Sequence, residues 1–235
     1  MRISCENNDE NVLNKLHKFW DLDSIGIKEN ESSVYEKFEE EIEFIDNRYV
    51  VKLPVKENHP PLPDNYLLSK KRLEHLKSKL EKDESLLKRY DDVIQEQLKM
   101  GIIEEINTPG VPNNVTYLPH RAVIKENRAT TKLRIVFAAS AKSNKDNVSL
   151  YEILYKGPCM LPALYNLLLK FRMKPIAITA DIEKAYLQIR VNECHRDLLR
   201  FLWYKNLFST EPTKMQRYRF TRFFIYKQLL FLIRT

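Results

Sequence analysis

Residues 176–189 read Ile-Ala-Ile-Thr-Ala-Asp-Ile-Glu-Lys-Ala-Tyr-Leu-Gln-Ile. A short apolar run ends in one carboxylate, Asp181, and an amphipathic segment follows at once. A strand that delivers an acid at its tip can hold a metal ion, because the strand fixes the carboxylate and the turn after it opens to solvent. Asp181 can equally cap the next helix, its side chain accepting from the backbone N–H groups of the first turn. A second group with chemistry lies upstream. Over Lys132–Phe137, Leu133, Ile135 and Phe137 alternate with Lys132, Arg134 and Val136. A strand would therefore present Lys132 and Arg134 on one face. That face suits a phosphate, or it is simply solvated. Tyr186 shares the face of Ile182 and Ile189, which suits a core aromatic, and Glu183 reads as a solvent-facing acid at a helix start.

Other chemistries are excluded by absence. The four glycines, Gly26, Gly101, Gly110 and Gly157, form no phosphate-cradling loop. Cys5, Cys159 and Cys194 have neither zinc spacing nor a disulfide framework, which suits a reducing compartment. No signal-peptide h-region opens the chain. The apolar run Phe223–Ile233, broken by Lys227 and Gln228, is too short to span a bilayer. A cytoplasmic protein without a membrane partner is expected.

Charge is divided along the chain. Residues 1–46 hold 5 Lys/Arg against 13 Asp/Glu, whereas residues 47–235 hold 34 against 19. A basic block with interleaved aromatics fits a phosphate-rich partner.

The positioning elements follow from periodicity. Val12 to Trp20 and Val34 to Ile42 have helical spacing, giving an acidic helical extension over 1–46. Residues 48–55 form a strand, and Asn58–Asp64 a proline-rich connector. Leu73, Leu76 and Leu80, then Leu87, Tyr90, Ile94 and Leu98, mark a long helical stretch that Asp83 divides by capping its second half. Gly101 ends it, Ile102–Ile106 is a strand, and Pro109-Gly110 a turn. Residues 117–125 and 132–137 form a hairpin. Pro162–Phe171 is a helix that Pro175 ends. Leu198–Tyr204 and Tyr218–Ile225 are further strands.

The order of these phrases resembles the reverse transcriptase of Bel/Pao-type LTR retrotransposons. The matching stretches are Arg48-Tyr-Val-Val-Lys-Leu-Pro, Tyr117-Leu-Pro-His-Arg-Ala-Val-Ile-Lys and Thr130-Thr-Lys-Leu-Arg-Ile-Val-Phe. They continue through Ala139-Ser-Ala-Lys, Gly157-Pro, Thr179-Ala-Asp-Ile-Glu-Lys-Ala-Tyr-Leu-Gln-Ile and Arg196-Asp-Leu-Leu-Arg-Phe-Leu-Trp. The likeness covers roughly residues 12–222 and rests on several long phrases in order.

The resemblance implies an α+β, right-hand polymerase fold. Residues 1–46 would be a polyprotein spacer, 47–64 a strand and connector, 65–150 fingers, 158–222 a partial palm, and 223–235 an aberrant tail. It implies that Asp181 is the first catalytic carboxylate, a ligand of two Mg²⁺ ions. Lys132, Arg134, Ala185 and Tyr186 would then contact the incoming deoxynucleotide, with the Tyr186 ring excluding a 2′-hydroxyl. RNA template, DNA primer and a cytoplasmic virus-like particle belong to the same implication.

The chain departs from the family pattern in three places. Ala138 stands where Asp is expected. Phe223–Phe231 replaces the Phe-Gly and Ser-Ser-Pro-Phe phrases, as a frameshift would. The sequence stops before a Tyr-x-Asp-Asp hairpin. One carboxylate cannot hold two Mg²⁺ ions, so the expectation is a polymerase fragment inactive by itself, with Phe223 and Phe224 exposed on an open sheet edge. The other expectation is a non-catalytic nucleic-acid-binding or co-opted interaction protein.

Overall fold

The computed structural model describes residues 36–108, 114–124, 133–155, 164–173, 175–176, 178, 184–208 and 213–224. The expected helix over 11–22, the Pro109-Gly110 turn, the tip of the hairpin, Lys132, the Asp181 strand end with Glu183, and the tail from 225 onward lie outside these residues.

The chain forms two compact units. One comprises residues 1–41, 156–181 and 227–235. Its described parts are a helical turn at 36–41 and the helix Leu164–Arg172. The other comprises 42–155 and 182–226 and holds every strand among the described residues. It is a mixed α+β unit built on three small sheets.

In the larger unit, β1 (Glu43–Ile45) and β2 (Arg48–Val51) form a hairpin, and β6 (Arg190–Val191) adds in parallel to β2. β2 is shorter than the sequence predicts. Pro54 has no amide to offer a ladder, and the Leu53 amide instead donates to Nδ1 of His195 at 3.0 Å. Helices α1 (Tyr66–Leu80) and α2 (Glu84–Lys99) follow. Asp83 caps α2 as the spacing predicts, its Oδ1 accepting from the Leu86 amide at 3.0 Å. Gly101 terminates α2 with φ of +63°, a conformation that costs a side-chain-bearing residue energy.

The second sheet has the order β3 (Ile103–Ile106), β8 (Lys214–Phe220), β7 (Arg200–Lys205), all antiparallel. β8 begins four residues earlier than the apolar pattern predicts. Lys214–Arg217 lacks the alternating apolar residues that mark a strand, yet these residues pair with Leu202–Lys205 of β7. One face carries Phe201, Trp203, Tyr218 and Phe220, all at most 1 % exposed. The third sheet is the predicted hairpin, β4 (His120–Ile124) against β5 (Leu133–Phe137). Its inner residue Phe137 meets Phe201 and Phe220 edge-on, with ring centroids 5.0 and 4.9 Å apart. Tyr90 of α2 closes the same cluster against Trp203 at 4.7 Å.

Two expectations are corrected here. The amphipathic segment after Asp181 is, in its described part, a four-residue 3₁₀ helix, Ala185–Gln188, entered through Lys184 at φ of +52°. Phe223 and Phe224 are not on an open edge. Phe223 is 1 % exposed and its amide donates to the Ile189 carbonyl at 2.9 Å, while Phe224 stacks 4.0 Å from Phe220. Among the described residues no helix is long and apolar enough to cross a membrane.

Candidate nucleic-acid interface

Pairing in the β4–β5 hairpin decides which side chains can meet a ligand. Ala122 pairs with Ile135, and Ile124 with Leu133, so these residues share the inner face with His120 and Phe137. Arg121 pairs with Val136, and Val123 with Arg134. The outer face therefore carries Arg121 and Arg134 as diagonal neighbours, both exposed. Diagonal positions lie within reach of each other for long side chains. Two guanidiniums can then share one phosphate, each with a planar fork of donors. Arg134 is thus placed on the solvent side, as its alternation predicts. Arg121 belongs to the same face, and the sequence does not single it out; its parity becomes readable only once the register across the hairpin is known.

The hairpin is seated on a buried histidine. His120 Nε2 donates to the Leu202 carbonyl at 2.8 Å, so that nitrogen carries the proton. Nδ1 accepts from the Tyr90 hydroxyl. Burial, partly opposed by the bond to Leu202, lowers the His120 pKa to about 4. Burial also raises the Tyr90 pKa well above its ordinary value, which keeps the hydroxyl a donor. The same element ends at Ala138, whose amide donates to the Pro119 carbonyl at 2.8 Å.

Ala185 and Tyr186 lie next to each other on the 3₁₀ turn, each partly exposed. The turn closes through Leu187 N–H to Lys184 O at 2.8 Å and Ile189 N–H to Tyr186 O at 3.2 Å. Arg48 of β2 fixes its far end, with Nη1 donating to Gln188 Oε1 at 2.8 Å. Among the described contacts none runs between Arg134 and this turn. Lys132 and Asp181 lie outside the described residues. Among the described residues, no group of three or more His, Cys, Asp or Glu side chains is arranged to hold a metal ion.

Two further features are electrostatic. On the β3–β8–β7 sheet, Arg219 donates to Glu104 at 2.6 Å and to Asp197 at 3.0 Å. Burial works against its charge, but these hydrogen bonds outweigh it and hold its pKa above the ordinary value. Asp197 also binds Arg200 at 2.9 Å, and Arg200 is fully buried. Arg222, by contrast, is 9 % exposed and its Nη1 has no hydrogen-bond partner among the described residues. Burial, then the charges of Arg48, Arg190 and Arg196, bring its pKa down to about 10.

A recess of about 330 Å³ opens beside Tyr66, Leu202 and Met215. Lys214 and Arg217 are in its lining and no carboxylate is, so the recess is cationic. The Arg217 guanidinium lies 5.6 Å from the Tyr66 ring centroid.

No protein-family model matches this chain, and no curated protein matches it.

Proposed function

We propose that this chain is the nucleotide- and template-binding front of an RNA-directed DNA polymerase, with fingers over 65–150 and the first part of the palm over 158–222. In this reading Arg134, with Lys132, receives the triphosphate of a deoxynucleotide. Ala185 and Tyr186 form the floor under its sugar, and Asp181 supplies the first carboxylate for Mg²⁺. The observation that carries the reading is the outward cationic face of the β4–β5 hairpin, where Arg134 is joined by Arg121. The ordered phrases described above, and a mixed α+β unit in which the predicted hairpin forms, support it too. The rest of the basic block, 22 Lys/Arg against 8 Asp/Glu beyond residue 106, suits the phosphates of template and primer.

The test is equilibrium binding of an RNA–DNA hybrid and of single-stranded RNA across a salt series. Binding weakens steeply with salt, because each phosphate contact releases counterions. Arg121→Ala and Arg134→Ala each reduce the salt slope by about one contact and weaken binding without regard to sequence. Affinity that is flat across the series, or unchanged in both variants, removes the hairpin face from the interface.

A further inference from the structure

Strand β6 carries Arg190 between two other arginines. Val50 of β2 is its parallel partner, so Arg48, two residues earlier on β2, lies on the same face. Arg222 is its antiparallel partner on the other side. That bridge is closed by Val191 N–H to Thr221 O and Phe223 N–H to Ile189 O, each 2.9 Å. Three guanidinium side chains thus start from neighbouring positions on one sheet face. Like charges side by side on a sheet repel, and an unpaired buried cation is costlier still.

The acids nearby leave part of this charge uncompensated. Asp46 pairs with Arg190 at 2.9 Å. Glu104 reaches Arg196 at 3.5 Å but is held more closely by Arg219 at 2.6 Å. Glu43, opposite Val50 on β1, shares the face and is exposed. Arg48 bonds the neutral amide of Gln188. Arg222 Nη1 is buried with no partner among the described residues. Two guanidiniums, those of Arg48 and Arg222, therefore have no carboxylate bound to them among the described residues.

We propose that Arg48, Arg190 and Arg222 form a binding site for a phosphate dianion. A planar carboxylate is filled by one guanidinium fork, whereas a tetrahedral phosphate has oxygens for several. A terminal phosphate carries close to two negative charges at neutral pH, matching the two uncompensated cations. Free phosphate and the 5′-phosphate end of a nucleic acid share this chemistry. The site does not depend on the polymerase reading: Arg190 and Arg222 have no part in that reading, and Arg48 enters it only by bonding Gln188 at the end of the 3₁₀ turn.

Thermal unfolding and titration calorimetry of the full 235-residue chain decide the matter. Sodium phosphate raises the unfolding midpoint relative to sodium chloride of equal ionic strength, since a ligand of the folded state stabilises it. Arg48→Gln retains the fold and weakens phosphate binding about tenfold, the scale of one lost charge-assisted hydrogen bond. Arg222→Leu abolishes the phosphate response and, without phosphate, unfolds at a higher temperature than the parent because a buried unpaired charge is gone. A 5′-phosphorylated oligonucleotide that binds more tightly than its 5′-hydroxyl form, with the difference lost in Arg48→Gln, identifies a nucleic-acid end as the source. Equal binding of the two oligonucleotides with the phosphate response intact identifies the free anion. No phosphate response in the parent, or an undiminished one in Arg48→Gln, overturns the proposal whether or not Arg222→Leu folds.

Discussion

His120 is used for its two nitrogens and not for a charge. A carbonyl on one side and a tyrosine hydroxyl on the other are both satisfied by the neutral ring. In the unfolded chain the ring titrates near 6.5, and in the fold near 4. The neutral form is therefore favoured by folding, and its contribution is complete above pH 6.5 and is lost as pH falls towards 4. Between pH 7 and pH 5 the protein loses about 2 kcal/mol of stability from this residue, by the linkage between pKa and folding. Urea unfolding at the two pH values measures it. His120→Leu removes that pH dependence but is less stable at pH 7, because the Tyr90 hydroxyl and the Leu202 carbonyl lose a partner at about 1–3 kcal/mol each. An unchanged slope in the variant shows that some other group carries the acid sensitivity. The role of His120 is not legible in the sequence. A lone histidine in Leu-Pro-His-Arg gives no sign that two distant elements, α2 and β7, will converge on it.

Single elements are more legible, and unevenly so. The division of 66–99 into two helices follows from Asp83 and Gly101, because a cap and a left-handed terminus act within a few residues of themselves. Asp83→Ala should cost about 1 kcal/mol. Gly101→Ala should cost about the same through backbone strain alone, since an added Cβ would meet nothing within 4 Å. Both are read from the urea midpoint. The apolar pattern misses half of β8 for the opposite reason. The polar residues of that half are stabilised by partners far away in sequence: the Gln216 side-chain amide donates to the Ile106 carbonyl at 3.1 Å, and the Arg217 guanidinium lies 5.6 Å from the Tyr66 ring centroid. Periodicity detects apolar burial but not a polar side chain held by a distant segment. In the half that the pattern predicts, Glu104 and Asp197 take Arg219, and Asp197 serves the fully buried Arg200 as well. Asp197→Ala should destabilise by about 3–5 kcal/mol, the cost of stranding a buried charge. A loss below 1 kcal/mol would show that the Thr108 carbonyl and Tyr117 hydroxyl suffice for Arg200. Of the candidate site, the alternation that exposes Arg134 is legible. Arg121 and the Arg48–Gln188 clamp are not, because they depend on register and on pairing between segments 140 residues apart.

For the molecule as a whole the governing quantity is its divided charge. The net +7 conceals an N-terminal stretch in which residues 1–41 hold 5 Lys/Arg and 11 Asp/Glu. If the basic remainder binds phosphate chains, this stretch opposes association through the summed field of the protein. Replacing Glu36, Glu39 and Glu40, all exposed, by glutamine removes three negative charges without shortening the chain. Affinity for single-stranded RNA should rise at low salt and converge on that of the parent near 1 M salt, where the Debye length falls to about 3 Å. The slope of log affinity against log salt, about 0.7 per phosphate contacted on a single strand, should change little, because the contacts themselves are unaltered. Anisotropy titrations at four or five salt concentrations separate these quantities. A fall in affinity at low salt would mean that these glutamates belong to the interface rather than oppose it. An equal rise at all salt concentrations would mean that they act by a local contact and not through the field, and the electrostatic account of the acidic segment would fail.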